Sequence, residues 1–224
     1  MAQPPVLLVH GFGSSFDHGW REPGWADILA DDGREVLGGD LPGHGAAAKP
    51  TDPADYADVD DAVASWRGGH DVVDAVGFSM GARILLTLAA AKPGSFRRLV
   101  VMGIGANAFG RERSDALAQA VESGETTNEV TRIFAQLAAD PRNDRAALAA
   151  FLRRDTRAFS VEDAARIDVP VLVVIGERDF VWPADELVAA LPDATLVTLP
   201  GVDHFATPRD FRAIDAAIRF LGAS

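Results

Sequence analysis

The stretch VVDAVGFSMGARILLTLAAA, residues 72–91, decides the fold. Its first part, residues 72–77, is nearly all apolar and predicts a buried β-strand, and residues 80–91 predict a buried helix. Between them lies a Gly-x-Ser-x-Gly motif at residues 77–81. Glycines at both ends of the motif let strand and helix approach closely, and the sharp turn holds the Ser79 side chain at the edge of the sheet. This setting predicts Ser79 as a nucleophile.

Apolar runs of similar length recur on both sides of this stretch and alternate with segments of helical character. Continuous apolar runs are typical of parallel strands covered on both faces, and alternation with helices is the pattern of an α/β sandwich. The predicted strands are residues 5–9, 35–39, 72–77, 99–102, 169–175 and 195–199, and the predicted helices are 54–66, 80–91, 183–191 and 209–221. We expect a single domain over residues 1–224, a three-layer α/β/α sandwich with a mostly parallel sheet of about six strands.

The alternation stops between residues 107 and 168, where no strand-like run occurs. Ser114 and Ser160 are candidate N-caps there and Pro141 interrupts the middle, so the region predicts several short helices. An insertion between two strands lies above the carboxyl edge of the sheet, where open α/β folds bind ligands. We interpret residues 107–168 as a helical lid, with ordinary packing helices as the alternative.

Composition argues against several classes of protein. Of the 224 residues 48% are apolar, but no run of 18 uncharged apolar residues occurs, so no membrane-spanning helix is expected. The formal net charge of −12 opposes phosphate backbones and acidic membranes, which disfavours binding to nucleic acid or membrane. Cysteine is absent, and no metal-ligand spacing or phosphate-binding glycine loop is found, so no metal or cofactor is expected. These features favour a cytoplasmic protein, monomeric or a small homo-oligomer, that acts on a small molecule.

A serine hydroxyl needs a base to act as a nucleophile near neutral pH. The histidines of the chain are His10, His18, His44, His70 and His204. Of these, His204 alone follows the last predicted strand and precedes the last predicted helix, so its loop emerges at the same sheet edge as Ser79. We therefore predict His204 as the general base.

The base needs a carboxylate that holds its tautomer and stabilises the imidazolium. The strand predicted over residues 169–175 is followed by Gly176-Glu177-Arg178-Asp179, again at the carboxyl edge. Asp179 is the predicted acid, and Glu177 and Asp203 are its competitors.

The oxyanion that develops in acyl transfer requires two preorganised donors. One is expected to be the main-chain N–H of Met80, at the positive end of the following helix. The other is expected from His10-Gly11-Phe12-Gly13, directly after the first strand, with the Phe12 N–H as the candidate. His10 is predicted to brace this loop by hydrogen bonding.

Several segments together resemble the α/β-hydrolase superfamily, of the serine-nucleophile esterase type with a small helical lid. They are His10-Gly-Phe-Gly13, Asp40-Leu-Pro-Gly-His-Gly45, Gly77-Phe-Ser-Met-Gly81, Gly176-Glu-Arg-Asp179 and Gly201-Val-Asp-His204. The chain order Ser79, Asp179, His204 is also that of the family. The resemblance implies this fold and triad, and it implies that His44 organises a loop rather than taking part in catalysis.

Arg83 follows Ser79 by about one helical turn. Its segment resembles enzymes related to the menaquinone-pathway synthase MenH, and that resemblance implies contact with a substrate carboxylate. A buried helix also uses arginine to pair with a neighbouring acid, and we favour this structural role. The apolar side chains that are candidates for a pocket or for the core are Phe12, Phe78, Met80, Phe109, Phe134, Phe180 and Trp182.

These residues predict a serine hydrolase that cleaves a small carboxylic ester or related acyl substrate through an acyl-enzyme. C–C bond hydrolysis, thioester hydrolysis and MenH-like elimination use the same triad and stay as alternatives, because the fold does not choose among them. Serine rather than aspartate at residue 79 argues against epoxide and haloalkane hydrolysis. A non-catalytic binding protein of the same fold is disfavoured because the predicted triad is complete.

Overall fold

A computed structural model describes residues 3–112 and 114–222 and contains a six-stranded sheet. The strands are β1 (Val6–Val9), β2 (Val36–Gly38), β3 (Val73–Phe78), β4 (Phe96–Met102), β5 (Val171–Gly176) and β6 (Ala194–Leu199). Their order across the sheet is β2-β1-β3-β4-β5-β6, and every neighbouring pair is parallel. The predicted α/β fold with a sheet of about six strands is confirmed.

Helices cover both faces of this sheet. They are α1 (Trp25–Asp31), α2 (Val59–Ser65), α3 (Met80–Ala91), α4 (Asp115–Ser123), α5 (Glu129–Ala138), α6 (Arg145–Arg153), α7 (Val161–Ala164), α8 (Asp185–Ala190) and α9 (Phe211–Gly222). Side chains alternate between the faces of a strand, so Leu7 and Val9 of β1 join the core beneath α2 and α3, while Val6 and Leu8 join the core beneath α1 and α9.

The strand order reverses between β1 and β3, which is the switch point where open α/β sheets form a crevice. The chain leaves β1 toward β2 at one edge, returns to β3, and then adds β4, β5 and β6 in the other direction. Val9 at the end of β1 pairs with Gly77 of β3. The loop after β1 and the Ser79 turn therefore emerge side by side.

Four short helices, α4 to α7, occupy the region between β4 and β5, as the sequence predicted. The Ser114 hydroxyl accepts a hydrogen bond from Leu117 N at 3.2 Å, and Ser160 forms a reciprocal capping box with Asp163. Both predicted N-caps are confirmed. The interpretation of residues 107–168 as a lid stays a prediction.

Three of the predicted helices have different limits in the structure. The helix predicted over 54–66 is split into a 3₁₀ turn, Pro53–Tyr56, and α2, because the Tyr56 hydroxyl is drawn to the carbonyls of Pro50 (2.7 Å) and Ala147 (3.2 Å). Pro183 does not open a helix, since α8 begins at Asp185. The C-terminal helix begins after a 3₁₀ turn, and α1 was not predicted. Among the described residues, no helix is long and apolar enough to cross a membrane.

Candidate active site

Ser79 lies in the turn between β3 and α3 with φ 54° and ψ −114°, a conformation that non-glycine residues rarely adopt. It is the only non-glycine residue with positive φ in the described ranges. The flanking glycines are required by contact: a Cβ on Gly81 would lie 2.1 Å from Val9 O, and one on Gly77 would lie 2.7 Å from Ala82 N. The tight packing of strand against helix holds Ser79 in this strained turn.

The three residues predicted as a triad lie in one hydrogen-bonded chain. His204 Nε2 is 3.1 Å from Ser79 Oγ, and His204 Nδ1 is 2.9 Å from both carboxylate oxygens of Asp179. Asp179 and His204 are both buried. With the proton on Nδ1, the imidazole donates to Asp179 and offers its Nε2 lone pair to the serine hydroxyl. The arrangement can transfer the hydroxyl proton to the imidazole.

The two competing carboxylates lie elsewhere. Glu177 accepts a hydrogen bond from Gly201 N at 3.1 Å, and Asp203 accepts one from Ala206 N at 2.9 Å, and both residues are exposed. Asp179 is also fixed by Val181 N, which donates to its Oδ1 at 3.0 Å. The carboxylate that contacts the imidazole is therefore the predicted one.

Aromatic rings enclose His204. The imidazole centroid lies 4.4 Å from the ring of Phe180, 4.8 Å from that of Phe78 and 5.1 Å from that of Phe205. Gly103 lies against the same imidazole with φ 64°, and a Cβ there would lie 3.0 Å from His204 Cε1 and 2.6 Å from Phe78 Cε2. Sequence reasoning missed Gly103, although a glycine directly after a buried strand at the carboxyl edge was an available signal.

The two expected oxyanion donors belong to adjacent segments. The loop after β1 contacts the start of α3, since a Cβ on Gly81 would lie 2.7 Å from His10 O. Met80 begins α3, where main-chain N–H groups have no acceptor within the helix. Within the described chain, neither the Phe12 N–H nor the Met80 N–H donates to a main-chain carbonyl. Their role as oxyanion donors stays a prediction.

His10 and His44 are buried and bonded to the main chain. His10 donates from Nδ1 to Gly11 O at 2.9 Å and accepts from Leu41 N at 3.0 Å through Nε2. His44 donates from Nδ1 to Pro42 O at 3.0 Å. Burial lowers the pKa of His10 to about 4 and that of His44 to about 3, so both rings are neutral at pH 7. These bonds fit the loop-bracing role predicted for His10 and the loop-organising role implied for His44.

Arg83 is buried, but its partners differ from the expected ones. Its guanidinium donates to the carbonyl oxygens of Asn107 (3.1 Å), Ala108 and Gly110. In the part of the chain that is described, no carboxylate lies within ion-pair distance of it. The expected pairing with a neighbouring acid is therefore wrong, because the guanidinium bonds main-chain carbonyls of the segment after β4 instead. Burial also lowers the pKa of Arg83.

Two cavities meet at Phe12, and we name them by position; of the triad residues, only Ser79 lines one of them. The Ser79 cavity, of about 400 Å³, is lined by residues that include Phe12, Ser79, Met80, Arg83, Leu117 and Arg154. The side cavity, of about 380 Å³, is lined by residues that include Phe12, Phe78, Ile133, Leu137, Phe205 and Arg209.

Of the seven apolar residues named as pocket candidates, four line a cavity and three do not. Phe12, Phe78, Met80 and Phe134 line one or both cavities. Phe109 instead stacks on Phe159 with the ring centroids 6.0 Å apart, and Phe180 and Trp182 are partly exposed at the surface. Phe205, which lines the side cavity, was not among the candidates.

Three guanidinium groups and one carboxylate line the Ser79 cavity. They belong to Arg83, Arg111, Arg154 and Glu112, and Arg111 is paired with Asp155 at 2.8 Å. Glu112 accepts from Arg154 Nη2 at 2.5 Å, while the hydrogen bonds of Arg83 go to neutral carbonyls. Arg154 and Glu112 were not predicted as site residues. Their position at the cavity depends on how α4 and α6 pack, and no local motif in the sequence indicates it.

A model of the alpha/beta hydrolase family matches residues 6–215 of the chain. Among curated proteins, the dihydrolipoyllysine-residue acetyltransferase component of an acetoin cleaving system from Pseudomonas putida is 28% identical over 225 residues. The match covers 89% of this chain, and the chain spans 58% of the length of that protein.

Solved structures show the same fold at low sequence identity. An enol-lactonase from Burkholderia xenovorans LB400 is 20% identical with a TM-score of 0.77, over 99% of this chain and 92% of that chain. An esterase from Rhodococcus sp. ECU1013 is 20% identical with a TM-score of 0.72, over 99% and 91%. A 2-hydroxy-6-oxo-6-phenylhexa-2,4-dienoate hydrolase from Rhodococcus sp. strain RHA1 is 21% identical with a TM-score of 0.70, over 98% and 90%.

Proposed function

The chain belongs to the alpha/beta hydrolase family, and we propose that it is a serine hydrolase that cleaves a small carboxylic ester or a related acyl substrate. The observation that carries the proposal is the hydrogen-bonded chain from Ser79 Oγ through His204 to Asp179, at 3.1 Å and 2.9 Å. A nucleophile, its base and the group that orients the base are the parts that acyl transfer needs. The strained Ser79 turn at the switch point of the sheet supports the same role.

In the proposed reaction, Ser79 Oγ attacks the carbonyl carbon while His204 Nε2 takes the hydroxyl proton. Asp179 stabilises the imidazolium that results, and the Phe12 and Met80 N–H groups bind the oxyanion. When the tetrahedral intermediate collapses, the leaving group departs with the proton from Nε2. Water then attacks the acyl-enzyme with His204 as base, which releases the acid and restores Ser79.

The first test is hydrolysis of p-nitrophenyl esters from acetate to decanoate, with Ser79→Ala as control. We expect turnover by the wild type and a loss of at least about 10⁴-fold in the variant, because the remaining donors give only residual catalysis. A fluorophosphonate should also label Ser79 and nothing else. Equal ester hydrolysis by the wild type and by Ser79→Ala would refute the proposal.

A second candidate is C–C bond hydrolysis or MenH-like elimination on a substrate that carries a carboxylate. The Arg83 guanidinium in the Ser79 cavity favours it, because a buried cation without a directly bonded carboxylate attracts an anion. One structural neighbour is named as the hydrolase of a dienoate. A folded protein that labels at Ser79 but hydrolyses neither esters nor thioesters would favour this candidate.

Three further expectations stay proposals. They are a cytoplasmic location, a monomer or small homo-oligomer, and the role of residues 107–168 as a helical lid over the site. The lid proposal rests on the residues of α4 and α5 that line the Ser79 cavity, Leu117 and Phe134.

A further inference from the structure

Side chains, rather than main-chain groups, hold the loop that follows β1. We call residues 10–14 the oxyanion loop. Within the described chain, residues 11–14 make no hydrogen bond to another main-chain group. Instead, His10 Nδ1 donates to Gly11 O at 2.9 Å, and Asn143 Nδ2 donates to Gly13 O at 2.9 Å. These two bonds lie on either side of Phe12, whose N–H is the proposed oxyanion donor.

The bond from His10 holds only the near side of Phe12. Gly11 O and the Phe12 N–H belong to one planar peptide group, so a donor on the oxygen sets the plane in which the N–H lies. On the far side, Gly13 has φ 67°, and a glycine can adopt many other conformations at little cost. The far side of the oxyanion loop therefore needs an anchor of its own.

Asn143, in the turn between α5 and α6, provides that anchor. Its Nδ2 also donates to Leu137 O in the last turn of α5 at 2.9 Å, and its main-chain N–H donates to Asp140 O at 2.9 Å. Both atoms that Nδ2 contacts are carbonyl oxygens, which only accept, so the amide nitrogen and not the amide oxygen must face them. One amide group therefore joins the C-terminal end of α5 to the oxyanion loop.

The oxyanion loop also packs closely against α5. A Cβ on Gly13 would lie 3.2 Å from Leu137 Cβ and 3.5 Å from Asn143 Nδ2. The ring centroid of Phe12 lies 5.0 Å from that of Phe134, about one turn before Leu137 in the same helix. Among the described residues of 107–168, Asn143 is the one whose side chain bonds the main chain of this loop. Through Asn143, the helical region between β4 and β5 contacts the proposed oxyanion hole.

We propose that Asn143 is a positioning residue for the oxyanion hole, through which the end of α5 holds the Phe12 N–H in place. The inference rests on the proposed acyl transfer, because this N–H acts when a carbonyl oxygen gains negative charge. An oxyanion donor must lie within about 3 Å of that oxygen, and a misplacement of about 1 Å can cost about 10²-fold in rate. Loss of the Asn143 bond should therefore lower kcat and leave KM nearly unchanged, since the donor acts on the transition state.

The test compares two substitutions of asparagine by aspartate. Asn143→Asp keeps the size of the side chain, but it removes the donor and places an acceptor against Gly13 O and Leu137 O. Asn128→Asp is the matched control, because Asn128 caps the other end of α5 through its side-chain oxygen, which aspartate retains. With p-nitrophenyl esters we expect kcat to fall by about 10–100-fold in Asn143→Asp, with KM within about threefold of wild type. The control should stay within about twofold.

A trifluoromethyl ketone gives a second readout, which a purely structural role would not change. Ser79 Oγ adds to the carbonyl carbon, His204 takes the hydroxyl proton, and the carbonyl oxygen becomes an oxyanion in a stable tetrahedral adduct. Its inhibition constant should rise in Asn143→Asp by the factor by which kcat/KM falls. The inhibition constant of the corresponding methyl ketone, which forms little adduct, should stay at its wild-type value.

Several outcomes would overturn the inference. They are an unchanged kcat in folded Asn143→Asp, a rise in KM alone, and equal losses in Asn143→Asp and Asn128→Asp, which would indicate a general effect of α5. If Asn143→Asp does not fold, Asn143→Ala removes the same donor without adding a charge, and the same readouts apply. A wild type that neither hydrolyses esters nor is labelled at Ser79 would contradict the proposed function, and the inference with it.

Discussion

Two buried aspartates at opposite edges of the sheet have different partners. Asp74, at the start of β3, accepts hydrogen bonds from Arg34 and, at 2.9 Å and 2.6 Å, from Arg97. Asp179, after β5, faces His204 instead. Both side chains are fully buried, so burial alone does not distinguish them.

The partners decide what each aspartate can do. A guanidinium keeps its proton at any physiological pH, whereas an imidazole takes and releases one near neutral pH. Arg34 also donates to Pro4 O at 2.7 Å, and Arg97 to Leu221 O at 2.6 Å. Asp74 therefore joins both ends of the described chain to the central strand. A buried carboxylate therefore has a structural role when its partners are permanently charged, and it is a candidate for catalysis when its partner is an imidazole that contacts a nucleophile.

The largest effect is expected for Asp179→Asn. An amide in place of the carboxylate favours the wrong imidazole tautomer, so we expect kcat to fall by about 10⁴-fold. The measurement is steady-state hydrolysis of the best ester substrate. Asp203→Asn is a matched control, because Asp203 is exposed on the same loop as His204 and its amide still accepts from Ala206 N. We expect less than a twofold change in the control, and an equal loss in both variants would contradict the assigned role of Asp179.

Asp74→Ala is expected to lower stability and to leave kcat unchanged. It leaves the guanidinium of Arg34 buried and without its acid, which should lower the free energy of unfolding by about 3–5 kcal/mol. Urea denaturation followed by circular dichroism measures this loss. The kcat of the protein that stays folded should remain close to that of the wild type. Asp71→Ala is the control, since Asp71 is exposed just before the same strand and should change stability by less than about 0.5 kcal/mol.

Asp179 could be predicted from the sequence, whereas the role of Asp74 could not. The carboxyl edge of a parallel sheet is defined by topology, so residues that follow different strands, such as Ser79 and Asp179, are expected to meet there. The partners of Asp74 come from a loop after α1 and from β4, and no spacing rule brings those together. The sequence indicated only that Asp74, a charged residue inside an apolar strand, needs a charged or hydrogen-bonding partner.

The parts of the fold that local sequence determines could be predicted, and the parts that depend on contacts between distant residues could not. The six strands and α3 follow from local apolar runs, because strands covered on both faces are apolar throughout. The split before α2 depends on the contact between Tyr56 and Ala147, which are far apart in sequence. The cavity linings likewise depend on how α4, α5 and α6 pack. Arg154, Glu112 and Phe205 were missed on that account.

The smallest effect is expected in the pH dependence of stability. It comes from His44, a buried histidine whose hydrogen-bond partner is neither a carboxylate nor a guanidinium. His44 donates to Pro42 O and packs edge-on against Phe12 and Phe151, and burial lowers its pKa from 6.5 to about 3.

Because its folded pKa lies below the unfolded one, the unfolded chain binds a proton first as the pH falls. Stability should therefore decrease below pH 6.5, by about 1.4 kcal/mol for each pH unit down to about pH 3. The measurement is the free energy of unfolding at pH 7 and at pH 5, for the wild type and for His44→Phe. Phenylalanine keeps the ring contacts and removes the titration, so the variant should lose about 2 kcal/mol less over this interval. Equal losses in the two proteins would show that His44 is protonated in the folded state, or that it does not titrate differently in the two states. In either case burial would not keep this ring neutral below pH 6.5 in the folded protein, contrary to its lowered pKa.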